Sequence, residues 1–305
     1  MRALLTGASG FLGRRLAARL AADGFAVVGV CLDRQGLPDS IPVHAVDVRD
    51  AAGLARVVAA ETPDVVVHLA ALAHVGESWR RMPEYFAINV LGTENVVAAA
   101  RGRRLVFASS AEVYGAVPEP EQPIDERREL APRSPYALTK AAAERLALGA
   151  GAVVARCFNL VGPGQTRTFA LPSFAAQLAA IEARQVPPAL KVGNLTARRD
   201  FVHVDDGVDA LALLVARGAA GGVYNVASGE ALSIAEALDR LIRVSGLEVA
   251  IEEDPERLRP VDVPLLCGDA SRIRALGWRA RRGFDAAVAG LWQEARAALE
   301  AANPA

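Results

Sequence analysis

The sequence has little of three features that would each point to a particular class of protein: cysteine, charge of one sign and long apolar runs. Its three cysteines are Cys31, Cys157 and Cys267; no pair has the spacing of metal ligands, and the number is odd for a disulfide framework. We therefore expect buried free thiols and no metal. The 34 basic and 35 acidic residues nearly cancel, which argues against a nucleic acid or an anionic membrane as partner.

No apolar stretch approaches the roughly 20 residues that a membrane-spanning helix needs. The apolar run at the N-terminus is too short for a signal peptide. The composition, 52% hydrophobic and 23% charged, is typical of a globular protein in water. From these absences we expect a cytoplasmic enzyme or binding protein.

Lysine is also scarce, since only Lys140 and Lys191 are lysine among the 34 basic residues. Lys140 ends the stretch S-P-Y-A-L-T-K and lies four residues after Tyr136, so both side chains share one face of a helix. An ammonium group lowers the pKa of a tyrosine that acts as an acid or base. A flexible lysine also reaches ribose hydroxyls where the broad fork of arginine does not fit. The alternative is an incidental surface pair.

Short apolar runs alternate with helical patterns through residues 1–160, which predicts an α/β fold with a Rossmann-type, doubly wound parallel sheet. The predicted strands are Ala3–Leu5, Ala26–Val30, Val43–Val46, Val65–Leu69, Leu105–Ala108 and Val153–Arg156. The predicted helices are Leu12–Ala22, Ala51–Ala60, Tyr85–Ala100 and Tyr136–Leu148, followed by Val204–Arg217 and Ile234–Val244 in the second half. We interpret residues 161–305 as a smaller α/β substrate-binding lobe, partly interleaved with the first unit.

The stretch T-G-A-S-G-F-L-G places Gly7, Gly10 and Gly13 between an apolar strand and an amphipathic helix. Gly7 permits a tight turn, Gly10 lets phosphates approach the backbone and Gly13 lets the helix pack near the sheet. A chance string of small residues is the alternative, but this context favours a dinucleotide whose pyrophosphate lies at the helix N-terminus.

The second strand should end near the adenosine ribose, where a carboxylate favours NAD and an arginine favours NADP. Here Asp33 and Arg34 follow the strand and point to opposite cofactors, and either residue is equally compatible with a solvated loop. Asp47 resembles the acid that contacts the adenine edge, although a helix N-cap is the alternative.

Farther along, Ser109, Ser110 and Glu112 follow a predicted strand. They lie at the edge of a parallel sheet where ligands bind, and backbone hydrogen bonding is the alternative for the serines.

Taken together, these motifs resemble the extended short-chain dehydrogenase/reductase family over essentially the whole chain. The matching stretches are T-G-A-S-G-F-L-G, H-L-A-A (68–71), N-V-L-G-T (89–93), S-S-A-E-V-Y-G, Y-A-L-T-K, R-C-F-N (156–159) and R-D-F-V-H-V-D-D (199–206). The second half is most similar to a branch that acts on GDP-mannose derivatives, through P-R-S-P-Y-A (132–137), F-N-L-V-G-P-G-Q (158–165), K-V-G-N-L-T-A-R-R-D-F (191–201) and L-R-P-V-D-V-P-L-L-C-G-D (258–269).

The resemblance implies a role for many residues. The implied catalytic residues are Ser110, Glu112, Tyr136 and Lys140. The implied cofactor site, for NADP or NAD with NADP favoured, comprises Gly7, Gly10, Phe11, Leu12, Gly13, Asp33, Arg34, Asp47, Val48, Leu69, Ala70, Ala71, Asn89, Tyr136, Lys140 and Phe158. The implied substrate site comprises Ser110, Glu112, Asn159, Arg199 and Arg259, where the two arginines clamp a diphosphate or, alternatively, form surface salt bridges.

The same resemblance implies a reductase of a nucleotide-linked 4-keto-6-deoxy sugar, most similar to the enzymes of that branch that take a GDP-linked substrate. A 4,6-dehydratase or a 4-epimerase that retains its cofactor is the alternative, and a non-catalytic dinucleotide-binding protein is a third hypothesis. The family also implies a homodimer, in which the helices near 85–100 and 136–149 pair with their copies. Deep burial within a monomer is the alternative explanation for their apolar faces.

Overall fold

The computed structural model describes residues 1–258 and 262–302, in which strands and helices alternate through the first half of the chain. The strands are β1 (Arg2–Thr6), β2 (Ala26–Cys31), β3 (Val43–Ala45), β4 (Val65–His68), β5 (Arg104–Ser110), β6 (Val153–Cys157), β7 (Asn159–Val161), β8 (Ala189–Val192), β9 (Arg198–His203), β10 (Val223–Val226), β11 (Ala231–Ser233), β12 (Ala250–Glu253) and β13 (Leu265–Leu266). The helices are α1 (Phe11–Ala22), α2 (Ala51–Glu61), α3 (Val75–Ser78), α4 (Met82–Tyr85), α5 (Gly92–Ala99), α6 (Pro135–Gly149), α7 (Ala170–Glu182), α8 (Val204–Arg217), α9 (Ile234–Ser245), α10 (Ser271–Ala275) and α11 (Phe284–Ala302).

The central feature of the described residues is a seven-stranded parallel sheet with the order β10-β6-β5-β4-β1-β2-β3. The order reverses direction at β1 and β4, as in a doubly wound sheet. The predicted Rossmann-type fold is therefore confirmed. The carboxyl ends of β1 and β4, where such sheets bind ligands, lie side by side.

Helices cover both faces of this sheet because its strands are apolar on both sides. Leu5 of β1 packs in one core with α1 and α8, whereas its neighbour Leu4 faces the opposite core with α2, α5 and α6. Successive side chains of a strand point to opposite faces, so a run such as A-L-L supplies both cores. Helix α6, which carries Tyr136 and Lys140, therefore lies against the sheet beside β5 and β6.

The second half of the chain contributes both to this sheet and to a separate layer. Strand β10 and helix α8 belong to the central sheet and its cover, although they follow residue 160 in the sequence. Helices α7, α9 and α11 instead form a core of their own, next to small sheets built from β7, β9, β11 and β13 and from β8 and β12. Within residues 1–258 and 262–302, no helix is both long and apolar enough to cross a membrane.

One predicted helix differs from the structure in its form. The segment predicted as a continuous helix over Tyr85–Ala100 consists of α4, a π-helical stretch over Phe86–Leu91 and then α5. A π-helical turn inside a helix rotates the side chains after it and frequently marks a functional site. Here the stretch includes Asn89, whose contacts are described below.

Candidate active site

The loop between β1 and α1 is built from glycines that leave no room for side chains. Gly7 has a φ of +70°, and a Cβ there would lie 2.7 Å from the backbone nitrogen of Ala70. A Cβ on Gly13 would lie 2.1 Å from the carbonyl oxygen of Gly7, so a side chain would push α1 away from the loop. Gly10 is the N-cap of α1 and has no side chain to occupy the N–H groups of the first turn. The bare helix N-terminus fits the pyrophosphate of a dinucleotide.

The residues around this glycine loop are those that the family resemblance assigns to the cofactor. Phe11 and Leu12 open α1 and are half-buried, as are Leu69, Ala70 and Ala71 in the loop after β4. The N–H of Ala70 donates to the hydroxyl of Thr6 at 3.3 Å, which holds the two loops together.

At the adenosine end, the two residues that point to opposite cofactors are both exposed. Asp33 accepts a hydrogen bond from the backbone N–H of Gln35 at 3.0 Å, and Arg34 lies 3.4 Å from Asp39. Arg34 keeps its guanidinium in solvent, where a phosphate can reach it.

Asp47 does not cap helix α2, so that alternative is wrong. Asp50 is the N-cap and accepts from the N–H of Gly53 at 2.8 Å. Asp47 instead forms a bidentate pair with Arg49, whose hydrogen bonds lower the pKa of the Asp47 carboxyl. The next residue, Val48, is buried.

Ser110, Tyr136 and Lys140 come together where β5 ends beside α6. Ser134 caps α6 by accepting from the N–H of Ala137 at 3.1 Å, and a proline follows it in the first turn. This start places Tyr136 in the first turn, where its hydroxyl lies close enough to Ser110 for the serine to lower its pKa. One turn later, the ammonium of Lys140 lies 2.6 Å from the carbonyl oxygen of Ala108 on β5.

The electrostatics of this group differ from the sequence prediction in one respect. Burial raises the pKa of Tyr136, and the hydrogen bond with Ser110 opposes that effect. The tyrosine ring is enclosed by Val75 and Tyr85, while the ammonium of Lys140 is directed at a backbone carbonyl. In the protein alone, desolvation therefore outweighs the predicted lowering of the tyrosine pKa.

Lys140 is almost fully buried, with 5% of its surface exposed, and its ammonium lies 4.3 Å from the centre of the Phe107 ring. Burial lowers the pKa of Lys140 to about 8, while nearby Cys157 and Glu144 act in the opposite direction. The amine is thus charged at neutral pH, but with a much smaller margin than a surface lysine has.

Glu112 and Ser109 flank Ser110 but have different surroundings. Glu112 is half-buried in the short 3₁₀ turn Ala111–Tyr114, its N–H donates to Ser110 Oγ at 3.2 Å, and its charge raises the pKa of Tyr136. Ser109 is buried and donates to Glu144 at 2.5 Å, not to its own backbone. Glu112 therefore faces the same site as Tyr136, whereas Ser109 lies behind it.

Asn89, a predicted cofactor residue, lies in the π-helical stretch Phe86–Leu91. Its amide is buried and engaged by the protein: Oδ1 accepts from the N–H of Leu72, and Nδ2 donates to the carbonyl oxygen of Leu72 and to Thr139 Oγ1 at 3.0 Å each. Thr139 directly precedes Lys140. Asn89 thus ties the loop after β4 to the helix that carries Tyr136 and Lys140.

Phe158, another predicted cofactor residue, has its ring in the core. It is 3% exposed and packs 6.3 Å from the ring of Tyr114. A Cβ on Gly268 would lie 2.4 Å from the ring, so that glycine leaves the space that the ring fills. The side chain supports the end of β6.

A cavity of about 470 Å³ lies between the α3 segment, the loop that leads into α7 and the loops of the C-terminal lobe. It includes the predicted substrate residues Asn159 and Arg199, and apolar surface from Leu171, Phe174 and Phe201. A space of this size and mixed lining suits a ligand with both polar and ring groups.

Arg199 is present at the cavity but is not a free cation. Only 5% of its side chain is exposed; it donates to Asp262 Oδ1 at 2.6 Å and to the carbonyl oxygen of Val263 at 2.6 Å. Asp262 also accepts from Asn194 at 2.9 Å. These contacts therefore fix the direction of the Arg199 guanidinium and neutralise part of its charge. The second predicted clamp residue, Arg259, lies outside the described residues.

Sequence reasoning missed three residues of this site, because their residue types carry no distinctive signal. Trp79 lines the cavity, and its indole nitrogen is the one buried side-chain nitrogen or oxygen without a hydrogen-bond partner among the described residues. Cys157 lies close enough to Lys140 and Tyr136 to influence both; it is half-buried rather than buried, and desolvation raises its pKa to about 12. Glu144 lies behind Lys140 and is described further below.

The described residues contain no cluster of three histidine, cysteine or acidic side chains that could bind a metal. What they do bring together is a glycine loop at a helix N-terminus and, across the same sheet edge, a tyrosine, a lysine and a serine. Together these define a dinucleotide-dependent enzyme of Rossmann type.

Comparison with known proteins is consistent with this class. Residues 3–227 match the NAD dependent epimerase/dehydratase family, and the chain belongs to that family. The chain is 36% identical to the GDP-6-deoxy-D-mannose reductase of Pseudomonas aeruginosa over 296 residues, which cover 91% of each protein. The sequence resembles a nucleotide-sugar branch of the short-chain dehydrogenases, and that predicted resemblance is confirmed.

Two solved structures agree with the fold and the cofactor. The structure of RMD from Pseudomonas aeruginosa complexed with NADPH has a TM-score of 0.86 and 34% sequence identity, covering 97% of this chain and 99% of that one. The UDP-glucose 4-epimerase of Thermus thermophilus, in complex with NAD, has a TM-score of 0.88 and 31% identity, covering 98% and 100%. These neighbours bind NADPH and NAD respectively, and NADP or NAD is the cofactor type of this chain.

Proposed function

We propose that this protein is an NAD(P)H-dependent reductase of a nucleotide-linked 4-keto-6-deoxy sugar, of the type that converts GDP-4-keto-6-deoxy-D-mannose to GDP-D-rhamnose. The observation that carries the proposal is the placement of Ser110, Tyr136 and Lys140 at one edge of the sheet, close to the glycine loop. The match to a GDP-6-deoxy-D-mannose reductase over 91% of both chains supports the choice of substrate.

The dinucleotide, when bound, supplies the hydride that reduces the C4 ketone. Ser110 donates a hydrogen bond to the ketone oxygen, and Tyr136 gives that oxygen a proton as the negative charge develops. Burial favours the protonated form of Tyr136, which is the form that an acid needs at neutral pH. Lys140 places a positive charge beside the reacting group and orients the ribose. Gly7, Gly10 and Gly13 hold the pyrophosphate, and we favour NADP because Arg34 is exposed at the adenosine end.

The nucleotide sugar is proposed to occupy the cavity lined by Asn159 and Arg199. Asn159 would contact the sugar, and Arg199 would donate charge-assisted hydrogen bonds to the diphosphate. Asp262 holds the guanidinium of Arg199 in place for that contact. The C-terminal lobe, taken as residues 161–305, supplies most of this substrate wall, and Arg259 remains the proposed second arginine.

A 4,6-dehydratase, or a 4-epimerase that retains its cofactor, is the second candidate. It is favoured by Glu112, which is half-buried, faces Tyr136 and is suited to remove a proton from C5 after C4 is oxidised. Several dehydratases and epimerases are also similar to this chain. A non-catalytic dinucleotide-binding protein is the third hypothesis.

One experiment separates the reductase, the dehydratase and the non-catalytic protein. The purified protein is incubated with GDP-mannose and, separately, with its 4-keto-6-deoxy derivative, with and without NADPH, and the products are read by mass spectrometry. A reductase adds two hydrogens to the keto sugar and consumes NADPH in equal amount. A dehydratase removes water from GDP-mannose without net consumption of cofactor, and a non-catalytic protein converts neither compound.

We further propose a cytoplasmic homodimer. Large apolar side chains are exposed on the two helical segments that the family resemblance assigns to a dimer interface: Met82 at 43%, Leu91 at 55%, Leu138 at 48% and Leu146 at 37% exposed. A four-helix contact between two copies would cover this surface.

A further inference from the structure

A buried ion pair lies directly behind Lys140. Glu144, one helical turn further along α6, is 1% exposed. Arg156 on β6 donates to both carboxylate oxygens of Glu144. Its Nη2 lies 2.6 Å and its Nε 3.1 Å from Oε1, and Nε also donates to Oε2. Ser109 on β5 donates to the other oxygen, Oε2, at 2.5 Å. One carboxylate therefore joins the catalytic helix to both strands that end in the site.

The cation of this pair is held from its other side. Nη1 of Arg156 donates to the hydroxyl of Tyr114 at 2.9 Å and to the carbonyl oxygen of Glu126 at 3.1 Å. The Tyr114 hydroxyl in turn donates to Asn225 on β10 at 2.6 Å. A buried network in which the members are hydrogen-bonded in this way has a defined geometry, and its charges stay in place.

Lys140 meets ionisable groups from each element packed around it. His68 on β4 is neutral, because burial lowers its pKa to about 3. Cys157 on β6 remains a thiol, since its pKa is raised to about 12, and Tyr136 on the same helix remains protonated. β5 contributes the Phe107 ring and a backbone carbonyl. Of the two groups that raise the pKa of Lys140, Cys157 and Glu144, Glu144 is the carboxylate.

We propose that Glu144 is a positioning residue whose buried carboxylate, one helical turn from Lys140, favours the ammonium form of that lysine beside Ser110 and Tyr136. Burial alone would favour the neutral amine, and the carboxylate one turn away opposes it. Arg156 and Ser109 hold that carboxylate in a fixed position through their hydrogen bonds. The link to turnover rests on the function proposed above, but the charge of Lys140 does not, and it can be measured without substrate or cofactor.

The scarcity of lysine makes that measurement direct. Protein labelled with ¹³Cε-lysine has two signals, Lys140 and Lys191, and Lys191 is exposed on β8 and serves as the internal reference. We expect Lys140 to titrate about one pH unit lower in Glu144→Gln than in the wild type. In Arg156→Gln the carboxylate remains, so the titration of Lys140 stays in place or moves to higher pH.

Two further variants complete the design. Glu144→Asp keeps the carboxylate and the ion pair but draws the carboxylate back by one methylene. This variant should fold, and it should lower the titration pH of Lys140 by less than Glu144→Gln does. Glu182→Gln removes the carboxylate of an exposed pair with Arg296, 2.8 Å apart, and should leave both lysine signals unchanged. If the Glu144→Gln protein does not fold, the titration of Lys140 in Glu144→Asp tests the proposal.

The proposal is overturned if Lys140 titrates at the same pH in the wild type and in the folded Glu144 variants. It is also overturned if Arg156→Gln lowers the titration as Glu144→Gln does, because loosened packing would then explain both. A positioning role further requires that the alkaline limb of kcat/KM move with the NMR titration while KM for the sugar nucleotide stays within about threefold. Shifts in NMR without any reduction of the keto sugar would refute only the proposed function.

Discussion

The ammonium of Lys140 donates a hydrogen bond of 2.6 Å to the carbonyl oxygen of Ala108, two residues before the end of β5. The same strand ends at Ser110, and the same helix carries Tyr136. This contact therefore fixes the helix against the strand at the point where the hydroxyls of Ser110 and Tyr136 meet. It also points the ammonium of Lys140 toward the backbone of β5, so that its positive charge lies at a defined position relative to the site.

Replacing Tyr136 by Phe should nearly abolish turnover while leaving cofactor affinity close to unchanged. The ring and its packing persist, and only the hydroxyl that transfers the proton is lost. General acid catalysis contributes about 10²- to 10⁴-fold, so kcat should fall by about that factor. The control is Tyr224→Phe on β10, whose hydroxyl accepts a hydrogen bond from Ala219 far from the site. A Tyr136→Phe protein that retains most of its kcat would show that another group is the acid.

Activity should decline at alkaline pH because it depends on the ammonium of Lys140. Burial lowers the pKa of Lys140 to about 8, so the charged form predominates below that pH and is lost as the pH rises through it. Tyr136, whose pKa burial raises, keeps its proton over the same range. A profile of kcat/KM between pH 6 and 10, with circular dichroism as a check on folding, should bend downward near pH 8. A flat profile up to pH 10 would contradict this assignment.

Arg199→Ala should weaken binding of the sugar nucleotide more than it slows the reaction. Loss of charge-assisted hydrogen bonds to a part-desolvated diphosphate costs about 2–3 kcal/mol, or roughly 30- to 150-fold in affinity. The diphosphate keeps its charge during hydride transfer, so KM should rise more than kcat falls, and Kd for NAD(P)H should not move.

The neighbouring arginine provides the control for that prediction. Arg198 has 46% of its side chain exposed and pairs with Glu119 at 2.7 Å, so Arg198→Ala should change KM little. If both variants stay within about threefold of the wild type, Arg199 is a structural partner of Asp262 and not a phosphate ligand. The same loss of affinity is predicted for Arg259→Ala.

Gly13→Ala should abolish cofactor binding and destabilise the protein. The new Cβ would lie 2.1 Å from the carbonyl oxygen of Gly7, and the loop and α1 cannot both keep their positions. The control is Gly149→Ala at the end of α6, where a Cβ meets open space and alanine is the better helix former by about 1 kcal/mol. Thermal unfolding and NAD(P)H titration measure both effects. A Gly13→Ala protein with unchanged cofactor Kd would refute the dinucleotide loop.

Leu138→Glu should convert the proposed dimer into a monomer. Leu138 is 48% exposed on α6, and a carboxylate there would be buried without a partner when two copies pair. Light scattering at low micromolar concentration should give twice the chain mass for the wild type and the chain mass for the variant. Ile251→Glu is the control, because Ile251 is equally exposed on β12, away from these helices. A wild-type protein of monomer mass would end the proposal.

The sequence determined the central sheet because its information is local. Each strand is an apolar run, each helix has its own period, and Gly7 and Gly13 are required by backbone contacts within one strand-loop-helix unit. The spacing of Tyr136 and Lys140 likewise fixed their common helix face. The S-P pair at the start of α6 marked where that helix begins.

Contacts between distant parts of the chain were decided only by the tertiary structure. The amide of Asn89 forms hydrogen bonds with Leu72 and Thr139, which lie 17 and 50 residues away in the sequence. Neither the pairing of Arg199 with Asp262, 63 residues apart, nor that of Glu144 with Arg156 across α6 and β6 leaves a periodic signal in the sequence.

The pKa of Tyr136 shows the same division. A lysine four residues away can be found in the sequence, and it predicts a lowered pKa. The opposite direction in the folded protein comes mainly from burial of the ring, and the charge of Glu112 adds to it. Spacing along the chain determined which groups are neighbours, whereas desolvation and hydrogen-bond partners depend on the packing of the whole fold, and these set the charge of each group.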